Sequence, residues 1–520
     1  MSEQIPANGS RPDNPWPLST DLYQLTMAQA YLLTGMADRR SIFHMFFRTA
    51  PFAGRYALAA GIGPFADWLE RLHFSADHID YLASLTGADS RGLFHPEFLD
   101  YLRRWRFRGA IEAVDEGEII FPYEPMLRVR APLLDGQLIE TGMLTMVNHQ
   151  SLIATKASRM RMAVGSDELL EFGLRRAHGM DGGLSASRAA FIGGVDATSN
   201  VLAGRCYQIP VRGTHAHSWV MSFADEQRAF DAYASVFPHN AVLLVDTFNS
   251  LEGVRHAIMT GHSLRARGSD LLGIRLDSGD LAYLAKQARV MLDEAGFADT
   301  KIIASSDLDE RLITSLKLQG APINAWGVGT KLVTAYDDPS LGGVYKLAAV
   351  EKEVGELVEC LKLSDQAAKT SIPGCLDVAR LSVDNHCTGD VIFDTFTEPL
   401  PGSDETVIII ISPVDPWKRK VVPRKNLERQ TLLTPLFADG VRVKEAPRLA
   451  RIRARTRENL RRFDPAIFRF DNPHAYAAGL SHRLHERREA MKAHEFELIK
   501  AHLASQHENG NNHTEQKSDS

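Results

Sequence analysis

Residues Leu271–Asp280, LLGIRLDSGD, run directly into LAYLAKQARVMLDEAGF at 281–297. The first stretch is a short apolar run with a polar tip, the pattern of a buried strand. The second repeats its apolar residues at helical spacing and stops at Gly296, a helix-ending residue. Together they read as one strand–helix unit, with Arg275, Asp277 and Asp280 at the junction. Four similar runs lie on either side: Ile209–Arg212, Ala241–Val245, Lys301–Ala304 and Ile323–Val328. They recur at a spacing of roughly 20 to 30 residues, about one βα unit each. Most lead into a helical pattern, as Ala304 leads into DERLITSLKLQG at 309–320. Units repeated in this way predict parallel strands, closed into a barrel or stacked in an open sheet. The spacing alone does not decide between the two.

In such folds the functional groups sit where strands end and helices begin. Five junctions carry polar, charged or glycine-rich tips: GTHAHS (213–218), DTFN (246–249), RLDSGD (275–280), SSDLD (305–309) and GVGT (327–330). Each has a plain alternative. Asp280 and Asp309 have the position of helix N-caps, GVGT of a tight turn, and a single histidine is more often structural than catalytic. Parallel strands would bring all five tips to one face. There, glycine-rich backbone presents N–H groups to a phosphate. An arginine pairs with a carboxylate or phosphate, and aspartates hold a magnesium ion or ribose hydroxyls. A ligand with a phosphate, a sugar, a pyrophosphate and an aromatic acid would use them all.

Length and composition narrow the class. The chain has 520 residues, enough for more than one domain or one large barrel with additions. Its 59 basic and 65 acidic residues give a net charge of -6, without the basic excess of a nucleic-acid binder. Cys206, Cys360, Cys375 and Cys387 form no CxxC pair, which argues against structural zinc and suits a reducing compartment. No run approaches the length of a membrane span, and the polar opening residues lack a signal core. The expectation is a cytoplasmic protein with no membrane or nucleic-acid partner.

The motifs, taken in order, resemble the nicotinate phosphoribosyltransferase family up to about residue 480. The matching segments are STDLYQLTM (19–27), EFGLRRAHG (171–179), DGGLSASRAAFIGGVDATSNVLAG (181–204), GTHAHSWV (213–220), RLDSGDL (275–281), GVGT (327–330) and SLGGVYKL (340–347). The resemblance implies an α/β fold: an irregular, TIM-like α/β barrel of the type II phosphoribosyltransferase kind, beside an α/β domain built from N- and C-terminal segments. It implies transfer of phosphoribosyl from phosphoribosyl pyrophosphate to nicotinate in NAD salvage. The products are nicotinate mononucleotide and pyrophosphate, with ATP as co-substrate, Mg2+ as cofactor and a homodimer sharing its sites. By the same resemblance His217 is the phosphohistidine, Thr214 and Arg275 hold nicotinate, and Tyr23 reaches the pyridine ring from the partner subunit. Gly329 and Thr330 take the 5-phosphate, Asp277 and Asp280 serve as catalytic, ribose or magnesium contacts, and Arg175 and Ser187 reach the phosphates. His215 competes with His217 as phosphoacceptor. Residues two apart on an extended chain share a face, so the motif match alone separates them. Transferases for nicotinamide or quinolinate, and a non-catalytic phosphoribosyl pyrophosphate sensor, are the rival readings.

The expected organisation is a flexible arm (1–15), an N-terminal α/β domain (16–140) completed by a largely structural C-terminal region (355–500), a barrel (141–354) and a disordered tail (505–520). Leu18–Leu32 is expected as a helix capped by Ser19 or Thr20. The basic stretch 441–462 reads as an exposed helix with a solvated charged face.

Overall fold

The computed structural model describes residues 16–353, 355–364, 366 and 369–515, with side chains to residue 500. The expected arm at 1–15 and the end of the tail at 516–520 lie outside these residues. Four of the five expected runs form strands: Val242–Leu244, Gly273–Leu276, Lys301–Ser305 and Ala325–Val328. They are buried on nearly every residue, as central parallel strands must be. Helices return between them, and an Asx side chain caps each start: Asn249, Asp280 and Asp309 accept backbone N–H groups of the turns they open.

The fifth run, Ile209–Arg212, is not a strand. Pro210 has no N–H to give, and the segment makes only an isolated parallel bridge from Val211 to Thr198. Two strands that the spacing missed, Glu168–Glu171 and Ala197–Thr198, take the remaining places. The all-parallel sheet runs from Ala197–Thr198 through Glu168–Glu171, Ala325–Val328, Lys301–Ser305 and Gly273–Leu276 to Val242–Leu244. It is a curled half-barrel whose Ala197–Thr198 edge carries only the isolated bridge to Val211 and whose other edge is Val242–Leu244. A side chain bridges the gap: the backbone N–H of Leu244, on one edge, donates to His215 Nε2 at 3.2 Å.

A seven-stranded antiparallel sheet stands beside the half-barrel and draws on both ends of the chain. Thr434–Ala438 pairs with Ala110–Ala113, which pairs with Leu127–Pro132 and then Arg40–Phe47. The strand Gly343–Glu353 joins this sheet against Arg40–Phe47, so the barrel segment ends before residue 343, not at 354. Tyr345 settles the matter by stacking on Phe43 with ring centroids 4.6 Å apart and donating its hydroxyl to Gly136 O at 3.0 Å. A six-stranded sheet (Leu376–Val383, His386–Asp394, Val407–Ile411, Arg419–Pro423, Glu428–Thr431 and Ala478–Leu480) makes up most of the C-terminal third. Its buried Arg380 donates to Asp390 within that sheet and reaches Glu118 in the N-terminal segment at 3.0 Å. The helix Glu140–Val164 forms the spine between half-barrel and antiparallel sheet.

Three local expectations change. The first helix spans Leu22–Leu33 with Asp21 at the cap position, and neither Ser19 nor Thr20 caps it. Asp21 accepts instead from the Thr141 hydroxyl, which ties the helix start to the spine. Within 441–462 only Leu449–Arg461 is helical, and two of its arginines turn inward: Arg453 onto Asp196 and Arg455 onto Asp115. The backbone of 505–515 continues the helix His482–Glu515, because each residue added to an anchored helix gains one hydrogen bond. No helix of the described residues is long and apolar enough to cross a membrane.

Candidate active site

Parallel strands place their C-terminal ends on one face, and Arg275 stands at the centre of that face. Its guanidinium is held on three sides. Nε donates to Ser305 Oγ at 2.8 Å, Nη1 to Thr214 Oγ1 at 3.1 Å and Nη2 to Asp277 Oδ1 at 2.9 Å. The Phe172 ring lies 5.6 Å from its carbon. A guanidinium has five N–H groups, so one on each Nη remains for a ligand. That pair is the fork that meets a single carboxylate. Burial pushes the Asp277 carboxyl up, but the Ser305 hydroxyl and the Arg275 guanidinium outweigh it and hold the group below its ordinary value. The site therefore keeps a fixed cation and a fixed anion side by side.

The two histidines of GTHAHS part company. His217 opens a short helix and is 41% exposed at its side chain. Its Nδ1 lies 3.1 Å from Thr247 Oγ1, and its Nε2 lies 3.9 Å from Asp277 Oδ2 and 4.0 Å from Asp246 Oδ1. Asp246 accepts the Asp277 N–H and the Ser278 hydroxyl on Oδ2, while its buried Oδ1 accepts no hydrogen bond. His215 is buried between Tyr233 and Phe230, and its Nε2 is occupied by the Leu244 N–H.

His215 must stay neutral to accept that bond, and burial, against a hydrogen bond to Ala216 O that opposes it, brings the ring down to about 4 from 6.5. Because the folded value lies below the unfolded one, this contribution is present above pH 6.5 and is lost as pH falls towards 4. It amounts to about 3 kcal/mol. His215→Asn keeps an acceptor that does not titrate. Thermal unfolding should fall less between pH 6.5 and 4 in this variant than in the wild type. Equal slopes would refute the assignment.

Arg275 and Asp277 also line a cleft of about 200 Å³, together with Phe172, Arg175, Arg176, Ser305–Asp307, Gly327, Gly329 and Thr330. Gly327 has no room for a side chain, since a Cβ would stand 2.8 Å from the Phe172 ring. Ser306 and Asp307 both adopt positive φ, 124° and 39°, without being glycine. Such backbone costs roughly 1–3 kcal/mol per residue and persists only when its surroundings enforce it. A larger cleft adjoins at Phe172 and Arg175, lined further by Leu174, Ala177, Gly179, Met180 and Ser199.

Thr214, His217, Arg275, Asp277, Gly329, Thr330 and Arg175 thus gather at one face. Three expected residues do not. Ser187 lies beneath it, 2% exposed, with its hydroxyl donated to Glu171 and accepting from Asn200, so it is closed to a phosphate. Asp280 is an exposed N-cap that accepts the Tyr283 N–H at 3.0 Å and lies outside the cleft lining. Its Oδ1 is engaged in that cap. Tyr23 is half-exposed on the first helix, away from the cleft of its own chain. Phe172, Arg176, Asp246 and Ser305 are the residues that sequence reasoning left without a role. Phe172 and Arg176 lie within EFGLRRAHG, and Asp246 and Ser305 each stand first after an expected strand, which was the available signal.

Among the described residues no group of three His, Cys, Asp or Glu side chains is placed to hold a metal ion unaided. The buried Oδ1 of Asp246, which has no hydrogen-bond donor, and the Oδ2 of Asp277 nevertheless approach the same histidine nitrogen. Two carboxylates in that position fit Mg2+, which keeps waters and takes phosphate oxygens for the rest of its shell.

Residues 18–148 match the nicotinate phosphoribosyltransferase (NAPRTase) N-terminal domain, 168–386 the NAPRTase family and 377–488 the C-terminal domain. The chain is 42% identical over 472 residues to nicotinate phosphoribosyltransferase of Bacillus subtilis (strain 168), covering 90% of this chain and 94% of the relative. It is 36% identical over 536 residues to the Caenorhabditis elegans protein of the same name, covering 90% and 92%. The crystal structure of human nicotinic acid phosphoribosyltransferase superposes with a TM-score of 0.78 at 31% identity, covering 91% of this chain and 99% of that one. A nicotinate-nucleotide pyrophosphorylase from Pyrococcus furiosus, 21% identical with a TM-score of 0.65, covers 89% and 99% and shares the fold.

Proposed function

The chain belongs to the nicotinate phosphoribosyltransferase family of enzymes, and from that premise we propose that it joins nicotinate to phosphoribosyl pyrophosphate, releasing nicotinate mononucleotide and pyrophosphate. The observation that carries this reading is the Arg275 fork: two free N–H groups on a guanidinium that Ser305, Thr214 and Asp277 already hold in place. One fork suits one carboxylate. Nicotinamide offers it no charge, and quinolinate brings a second carboxylate up against the Asp277 carboxylate, which repels it.

The nicotinate ring lies along Phe172, and Tyr23 of the partner subunit in a homodimer supplies the opposite wall. The pyridine nitrogen is already a nucleophile, so the residues act by positioning it. As the bond from the anomeric carbon to pyrophosphate breaks, negative charge grows on the leaving group and positive charge on the sugar. Arg175 and Arg176 are placed to meet the first. The Gly329–Thr330 backbone and the Thr330 hydroxyl receive the 5-phosphate. Mg2+, when bound, neutralises the pyrophosphate oxygens, and Asp246 and Asp277 are the residues that would hold it.

ATP enters through His217, the exposed member of the histidine pair. A ring nitrogen takes the γ-phosphoryl group, forming a P–N bond as the P–O bond to ADP breaks. The new charge, beside Asp246 and Asp277, draws in the cation and tightens the loops around the substrates. Hydrolysis resets the site. This places the protein in NAD salvage by the nicotinate (Preiss–Handler) route, as an ATP-coupled ligase. A cytoplasmic location suits its four unpaired cysteines.

The test is to incubate the protein with Mg2+, phosphoribosyl pyrophosphate and one acceptor, with and without ATP, and to assay mononucleotide, pyrophosphate and ADP. Nicotinate should react at least roughly a hundredfold more efficiently than nicotinamide or quinolinate, in line with the penalty for leaving a site's buried polar groups unpaired. Preference for either rival, or binding without turnover, would overturn the reading.

A further inference from the structure

The loops that follow Lys301–Ser305 and Ala325–Val328 face each other across the phosphate end of the cleft. One of them carries Ser306 and Asp307 in the left-handed region. Something beyond local sequence must hold that backbone. On one side Ser305 is fixed by Asp277 and Arg275. On the other, Asp309 does two jobs. Its Oδ1 accepts the Leu312 N–H at 2.7 Å as a helix cap, and its Oδ2 accepts Lys331 Nζ at 2.5 Å. Lys331 directly follows Thr330, so this ion pair fastens one loop to the other. The Asp309 and Lys331 side chains are only 12% and 24% exposed.

The pair rests on a buried foundation. Lys156, fully buried on the long spine helix, contacts Glu310 at 2.8 Å and also pairs with Asp337. Arg159 contacts the other oxygen of Glu310 at 2.8 Å. The Phe52 ring lies 4.9 Å from Lys156 Nζ, and the Phe52 N–H donates to Asp338 at 2.8 Å. Glu310 follows Asp309, and Asp337 and Asp338 follow the short helix opened by Thr330. Both loops are thus braced from below through residues next to the pair. Neither Lys331 nor Asp309 lines the cleft. Burial pushes the Asp309 carboxyl up, but the Leu312 N–H and Lys331 outweigh it, so it stays charged.

We propose that Lys331 and Asp309 are positioning residues: their ion pair sets the distance between Ser306–Asp307 and Gly329–Thr330, so that the phosphate pocket is formed before the ligand arrives. The proposal rests on the reading that this end takes the 5-phosphate of phosphoribosyl pyrophosphate. Preorganisation of this kind appears in the affinity for that one substrate and not in the chemical step.

The experiment uses full-length wild type, Lys331→Met, Asp309→Asn, the double variant and Lys331→Arg. Asn at 309 keeps the capping oxygen and removes the charge. Steady-state kinetics vary each substrate separately, calorimetry gives the Kd for phosphoribosyl pyrophosphate, and thermal unfolding is recorded. Each single variant should raise KM and Kd for phosphoribosyl pyrophosphate by roughly tenfold, a typical coupling for a contacting pair. Nicotinate KM and kcat should stay within about twofold, since uniform binding is what is lost. The double variant should be no worse than either single one, and Lys331→Arg should recover most of the loss.

An effect of Lys331→Met without one of Asp309→Asn would mean that Lys331 touches the phosphate itself, and would sink the strut. A parallel change in kcat and both KM values, or a lowered melting temperature alone, would reduce the pair to a fold-stabilising contact. Absence of turnover in the wild type would count against the functional reading, whereas a Kd insensitive to every variant would count against this one.

Discussion

Arg275→Met should lower kcat/KM for nicotinate by roughly a thousandfold while changing KM for phosphoribosyl pyrophosphate by less than about threefold. Two losses combine. The fork for the substrate carboxylate disappears, and Asp277 is left partly buried with its cation gone. Truncating one partner of a buried, hydrogen-bonded charge pair costs about 2–5 kcal/mol, and each 1.4 kcal/mol is tenfold. The side chain is only 13% exposed, so water recovers little of this. Arg275→Lys should not restore activity, because a compact ammonium cannot meet Ser305, Thr214, Asp277 and a carboxylate together. The methionine variant should also narrow the preference for nicotinate over nicotinamide towards parity, since the discriminating charge is gone. Competition assays with the two acceptors measure this directly. A variant that keeps both its rate and its preference would place the carboxylate elsewhere and dismantle the site as drawn.

His217→Ala should abolish the stimulation by ATP and leave slow, ATP-independent transfer close to the wild-type rate measured without ATP. The Arg275 fork and the phosphate end do not involve the imidazole, so positioning survives. What disappears is the acceptor nitrogen beside Asp246 and Asp277. A phosphoryl group there adds roughly -1.5 to -2 of charge next to two carboxylates, so stimulation in the wild type should depend steeply on Mg2+. Initial rates with and without ATP, together with transfer of label from γ-labelled ATP to the protein, test both points. His215→Asn should still be labelled and still be stimulated, because His215 is walled in by aromatic rings with its Nε2 filled. Stimulation that survives in His217→Ala would remove this histidine from the coupling.

The carboxylates of the site show how far residue types alone could lead. Asp277, Asp280 and Asp309 all stand at the ends of expected strands, and each could equally be a cap or a ligand. The structure gives them different work. Asp280 and Asp309 cap helices, Asp309 also pairs with Lys331, and Asp277 turns towards Arg275 and His217. Ser187 and Tyr23 went the same way: one is sealed in a hydrogen-bonded layer under the strand ends, and the other stands on a helix away from its own cleft.

From the sequence itself came the alternation of apolar runs with amphipathic helices, and from it the parallel strands and the common face of their junctions, while the half-barrel curl came only with the structure. The periods of strand and helix are local properties that survive folding. The order of motifs likewise carried the family and singled out Thr214, His217 and Arg275, which the structure brings together around Asp277. Three things needed the tertiary structure. The strand Gly343–Glu353 left the barrel, because its partner Arg40–Phe47 lies far back in the N-terminal segment. His215 and His217 separated, because burial is decided by what packs around a residue and not by which face it shares. Phe172, Asp246 and the Lys331–Asp309 pair came into view, because each touches a residue from another strand end. Distances between segments remote in sequence are set by packing, and packing is a property of the whole chain.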